Sequence, residues 1–84
     1  MEIELSSRFS KSYQKLPERT KIKAKKQIAV FQSDQFDHRL KTHKLVGNNR
    51  EMWSFSVDYS IRIKFIFLTP STVLFLDVGG HDIY

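Results

Sequence analysis

The 84-residue sequence contains no cysteine. Disulfides, thiolate metal sites and a cysteine nucleophile are therefore excluded. A small domain without such staples suits a reducing compartment, so a cytoplasmic location is expected. Glycine occurs three times and proline twice, and neither clusters into a linker or a low-complexity tract. There is no internal repeat. The longest apolar stretch, around Ile61 to Leu68, is interrupted by Arg62 and Lys64 and is too short to span a bilayer. The opening MEIELSSRF has no basic leader, so neither export nor a membrane partner is expected. At this length one domain over residues 1–84 is expected. A domain of this size buries about 60% of the surface its unfolded chain exposes. That leaves room for one sheet and one or two helices, and none for a dinucleotide cofactor.

What the chain does have is positive charge. Fourteen Lys and Arg stand against nine Asp and Glu, for a net charge of +5 and a pI near 9.7. Such a balance favours polyanions or an acidic protein partner.

The order of signals is strand, helix, helix, loop and three strands. In EIELS, Ile3 and Leu5 alternate with Glu2 and Glu4, as in a half-buried strand. From Ser10 the period changes, and Phe9, Tyr13 and Leu16 form one helical stripe. Pro17 lacks an N–H and must interrupt that helix, yet it suits the first turn of another. The second helix carries Ala24, Ile28 and Phe31 on one face, with Ile22 and Ala29 beside them. Its opposite face shows Arg19, Lys21, Lys23, Lys25 and Lys26. Gln32 to Asn49 has little periodicity and reads as a long loop, the kind that in a compact domain is usually functional or disordered. Trp53, Phe55 and Val57 then alternate with Ser54 and Ser56. After a turn at Asp58-Tyr59, Ile61, Ile63, Phe65 and Phe67 alternate with Arg62 and Lys64. Val73 to Val78 is apolar almost throughout, as in a central strand. The expected fold class is α+β: an N-terminal strand, a helical hairpin and an antiparallel three-stranded meander, with both helices on one face of the sheet.

That pattern sends Arg62 and Lys64 to the face that the helices leave open. Ser54 and Ser56 fall on it too, where small side chains leave space beside the cations. The loop with His43 and the tail with His81 and Tyr84 are placed to reach its rim. Cleaving RNA through its own 2′-OH needs a base, an acid and cations for the charged phosphorane. Histidine serves as acid or base near neutral pH, arginine grips phosphate with a planar fork, and tyrosine can donate a proton or stack on a base. Plain structural roles are also open to each: a solvated strand arginine, an inert loop histidine, a frayed terminal tyrosine, a solvated lysine face on the helix. Three histidines and the dipeptide His81-Asp82 raise a metal site, but no pair has the i, i+4 spacing of helical ligands. No metal and no cofactor is expected. On these grounds alone the chain is a basic α+β domain suited to RNA.

The ordered set of KLP at the helix break, HKLVG, MWSFSV, YSIRIKF and LFLDVGGHDIY resembles the RelE/ParE superfamily of toxins, over essentially the whole chain. Within it the RelE/YafQ-like ribonuclease branch is the closer match. The resemblance implies a toxin of a type II toxin–antitoxin system, an mRNA interferase that cleaves mRNA on the ribosome without metal and leaves a 2′,3′-cyclic phosphate. It implies a cognate antitoxin, contact with mRNA and ribosomal RNA, and operator DNA bound indirectly through the antitoxin complex. It assigns catalytic roles to His43, Arg62, His81 and Tyr84. RNA contacts are expected at Lys41, Lys44 and Lys64, and contacts to ribosomal RNA at Lys21, Lys23, Lys25 and Lys26, which lie on the basic helix face away from the apolar stripe. The HDIY ending is one residue shorter than that of many relatives, and the paired lysines of RelE are represented by Lys41 and Lys44. Two alternatives share the fold: a ParE-like inhibitor of DNA gyrase without nuclease chemistry, and a degenerate toxin that acts as co-repressor with its antitoxin.

Overall fold

Strand pairing in this fold is organised by residues whose alternate side chains are buried and polar. The computed structural model describes residues 1–47, 51–80 and 83. In chain order the elements are β1 (Glu2–Leu5), α1 (Ser7–Gln14), α2 (Glu18–Ser33), one turn of 3-10 helix (His38–Leu40), β2 (His43–Lys44), β3 (Met52–Ser56), β4 (Arg62–Thr69) and β5 (Thr72–Gly79). The sheet has five strands in the order β1-β5-β4-β3-β2. β1 runs parallel to β5, and the other pairings are antiparallel. The expected meander is β3-β4-β5, and β5 is central as its apolar sequence requires.

Both helices lie on one face. Phe31 of α2 is fully buried and packs its ring against Phe55, Phe65 and Phe75, one from each of β3, β4 and β5, at centroid distances of 4.7, 5.1 and 5.6 Å. Phe9 of α1 meets Phe75 at 5.3 Å. Ile63, Val73, Val78 and Ala24 complete the core, and Trp53 packs at its margin between Phe36 and Phe67. Stacked and edge-to-face pairs of this kind add stabilisation beyond the area they bury.

The helix boundaries follow from local chemistry. α1 begins three residues before the expected Ser10. Ser6 caps it, its Oγ accepting from the Phe9 N–H at 3.0 Å and donating to the Leu76 carbonyl at 2.9 Å. One hydroxyl thus ends β1, starts α1 and ties both to β5. Pro17 separates the helices as expected, standing just before Glu18 with extended backbone.

Three expectations are corrected. Ile22 and Ala29 do not join the buried stripe: Ile22 is 68% exposed, and Val30 takes a place against the core instead. The stretch from Gln32 is not a plain loop. It holds the 3-10 turn, which buries Leu40 completely, and the edge strand β2. Such short elements carry too few residues for a period to be read. Finally, Ser54 is fully buried and leaves no open space, whereas Ser56, nearly buried, lines a cavity beside Arg62.

Replacing Phe31 with Ala is expected to cost about 3–5 kcal/mol, since it removes the ring shared by three strands. Urea denaturation measures it; a loss under about 1 kcal/mol would mean that the site collapses around the cavity.

Candidate functional site

The face turned away from the helices gathers the polar side chains of the sheet. Directly paired residues share a face, and the registers define one row across four strands. His43 of β2 pairs with Ser54, Ser54 with Lys64, and Lys64 with Asp77. The adjacent row is Ser56, Arg62 and Gly79. His43 and Arg62 are thus two strands apart and one row apart, about 10 Å across the sheet and about 7 Å along it. Their side chains are long enough to converge on one phosphate.

Asp77 reaches this face through a β-bulge. Lys64 pairs with Asp77 but Phe65 with Phe75, so Leu76 is the extra residue. Strict alternation from the buried Phe75 would have turned Asp77 into the core. The bulge turns Val78 inward instead, opposite Ile63. The nearly buried Asp77 carboxylate accepts from the Val78 N–H at 2.8 Å and from Arg8 Nε at 3.1 Å.

His43 is held in a defined orientation. Its Nδ1 lies 2.9 Å from the Lys41 carbonyl. A carbonyl only accepts, so Nδ1 carries the proton, and a neutral ring keeps the lone pair on Nε2. Lys41 directs that carbonyl from a left-handed backbone conformation, with φ of 52°.

Arg62 donates from Nη1 to Ser56 Oγ, which fixes the guanidinium over the sheet. It lines a cavity of about 330 Å³ with Ser56, Arg39, Lys41, Gln27 and Tyr59. Gln27 closes the inner wall, donating to the carbonyls of Ser56 at 2.9 Å and Arg39 at 3.3 Å. Arg39 is largely neutralised. Its guanidinium grips Asp37 through two bonds of 2.9 and 2.8 Å, and these, with the Arg39 N–H, hold the Asp37 carboxyl far below the usual carboxylate range. Among the described residues neither Lys41 nor Arg62 forms an ion pair, so these two cations are available to an anion in the cavity. Lys64 donates to the Ile83 carbonyl at 2.8 Å, which ties Ile83 to the same face.

The structure therefore brings His43, Arg62, Lys41 and Lys64 to one face. His81 and Tyr84 lie outside the described residues. Lys44 is engaged with Glu51 at 3.1 Å. The α2 lysines lie in the helix layer, on the other side of the sheet. Lys23 is paired with Asp58 and Lys21 with Glu18, each at 3.6 Å, while Lys25 and Lys26 are exposed. Sequence reasoning missed Arg39, Gln27 and Tyr59, which no period or motif connects to Arg62. It also missed Asp77, hidden in an apolar run. Among the described residues no group of three or more His, Asp or Glu is placed to hold a metal ion, and no helix is long and apolar enough to cross a membrane.

The architecture matches a set of solved toxins. YafQ from E. coli superposes with a TM-score of 0.78 at 21% identity, covering 98% of this chain and 94% of that one. YoeB from Staphylococcus aureus gives 0.77 at 14%, covering 96% and 97%. RelE in the archaeal RelE–RelB complex from Pyrococcus horikoshii gives 0.73 at 11%, covering 94% and 92%. The chain thus has the α+β fold of the RelE/ParE-like toxins. No protein-family profile and no curated protein matches the sequence.

The β3–β4 turn that sets Arg62 in place depends on one carboxylate. Asp58 Oδ1 accepts from the N–H groups of Ser60 and Ile61, both at 2.9 Å. Burial raises its pKa, but those N–H groups and Lys23 outweigh burial and leave it lowered. Its contribution to stability is therefore present above the unfolded value of about 3.9 and lost as pH falls through the lower folded value. An Asp58→Ala variant is expected to be less stable than wild type at neutral pH by roughly 1 kcal/mol or more. The gap should close as pH falls below about 3.9, measured by denaturant unfolding at stepped pH. A gap constant with pH would show that the charge plays no part.

Proposed function

We propose that this chain is the toxin of a toxin–antitoxin pair and acts as an endoribonuclease on mRNA at the ribosome. The observation that carries the reading is the arrangement of His43, Arg62, Lys41 and Lys64 on one face. The fold supports it too, since similar toxins were solved in complex with antitoxins: RelE with RelB, and YafQ with DinJ. An acidic antitoxin is the corresponding partner here, and charge favours it, given the net +5.

In this reading the scissile phosphate sits beside Arg62, whose fork offers bidentate contact. Nε2 of His43 takes the proton from the ribose 2′-OH, and the 2′-oxygen attacks phosphorus. Lys41 and Lys64 add positive charge where the phosphorane becomes more negative. The P–O5′ bond then breaks, giving a 2′,3′-cyclic phosphate and a 5′-OH. His81 is the proposed acid for the leaving oxygen, and Tyr84 the proposed stacking or proton-donating residue. The ordered Nδ1–H to Lys41 contact spares His43 the reorientation that a loose imidazole would need. Lys25 and Lys26 are assigned to ribosomal RNA, away from the reacting strand.

His43→Ala and His81→Ala are each expected to lower cleavage of ribosome-bound mRNA by roughly 10²–10⁴-fold, the usual contribution of one acid or base. Arg62→Lys should also impair it, because a point charge does not reproduce the fork. Mapped mRNA ends in an in-vitro translation assay provide the measurement. Full toxicity of all three variants, together with inhibition of DNA gyrase, would establish the ParE-like activity instead.

A further inference from the structure

A second basic groove adjoins the site. β1 ends at Leu5, opposite Phe75, and the chain turns into α1 at Ser6. Beyond Phe75, β5 therefore has β4 as its one paired neighbour and faces α1 across a groove of about 750 Å³. One wall carries Arg8, Lys11 and Lys15, spaced i, i+3 and i+7 along one side of α1. The other is the backbone of Val78, Gly79 and Gly80, closed at one end by Ile83. Arg8 is held by Asp77. Among the described residues Lys11 and Lys15 form no ion pair, and both are exposed.

This groove adjoins the site across a single strand pair. Gly79 is the direct partner of Arg62, so one strand separates the cation row of the site from the groove wall, about 5 Å across. Ile83, which lines the groove, receives the hydrogen bond of Lys64. The two glycines add no side-chain bulk on that wall, so a chain can pass from one side to the other close to the backbone.

We propose that the groove of Lys11 and Lys15 is the track for the single-stranded RNA backbone adjoining the scissile phosphate, an inference that rests on the ribonuclease reading above. RNA is favoured over a protein segment by the lining. Protein partners draw affinity from buried apolar anchors, and the groove offers only Val78 and Ile83 among cations, serines, glycine backbone and Asp77, whose carboxylate is taken up by Arg8. Spaced cations hold a phosphate backbone electrostatically, whatever its sequence.

The test uses a short single-stranded RNA with a 2′-O-methyl group at every position, so that it binds without being cleaved. Affinity is read by fluorescence anisotropy across a salt series. Lys11→Gln/Lys15→Gln is expected to weaken binding roughly ten-fold and to reduce the slope of log K against log salt by about 1.4. Arg19→Gln, at an exposed cation of α2 that lines neither the cavity nor the groove, should leave both nearly unchanged, and circular dichroism checks that each variant is folded. Loss on Arg62→Ala but not on Lys11→Gln/Lys15→Gln would overturn the track while leaving the ribonuclease reading intact. Wild-type protein that binds no RNA would overturn the track, and cleavage of ribosome-bound mRNA would then decide the ribonuclease reading separately. Binding of polyglutamate that depends on Lys11 and Lys15, with RNA binding indifferent to them, would assign the groove to an acidic protein and overturn the proposal.

Discussion

The packing of Phe65 against Phe31 fixes the register of β4, and the polar face depends on that register. Side chains alternate along a strand, so a slip of one residue exchanges the two faces. With Ile63 and Phe65 drawn under α2, Arg62 and Lys64 have to point the other way. β4 also lies between β3 and β5, so its register passes to both neighbours. Ser54 and Ser56 are set beside the cations on one side, Asp77 and Gly79 on the other. The apolar core thus determines where the charges stand, although it touches none of them.

Local devices adjust what the register leaves unfinished. The bulge at Leu76 keeps a carboxylate out of the aromatic core, where an unpaired charge would be costly, and sets it between α1 and the site face. Arg8 and the Val78 N–H satisfy it there. The left-handed Lys41 turns its carbonyl to the His43 ring. Ser6 joins β1, α1 and β5 through one hydroxyl. Each device is a few atoms in size, and each acts on a residue at the polar face or its border.

Charge is distributed unevenly over this frame. Arg39 is tied to Asp37, Lys44 to Glu51, Lys23 to Asp58 and Arg8 to Asp77. These pairs decide which cations remain for an external anion. Arg62 and Lys41 remain at the cavity, and Lys11 and Lys15 remain in the groove. Among the described residues, unpaired positive charge thus stands at the cavity, in the groove and, with Lys25 and Lys26, on the exposed face of α2.

The strands around Phe55, Phe65 and Phe75, the helix break at Pro17 and the outward placement of Arg62 and Lys64 were all legible in the sequence. Each rests on a period of 2 or about 3.6 residues that a few apolar side chains are enough to display. The same pattern misplaced Ile22 and Ala29, because a helix stripe is only as wide as the surface it meets. β2, the buried Leu40 and the bulge at Leu76 were not legible, being shorter than any period. Nor was the company of Arg62. Arg39, Gln27 and Tyr59 come to it from three separate segments, and nothing local links them. The sequence by itself determined which residues are buried in the strands and which cations face away from them. Only the tertiary structure decided which of those cations stay unpaired and which stand together, because that depends on long-range pairing between segments whose contacts leave no mark in either one alone.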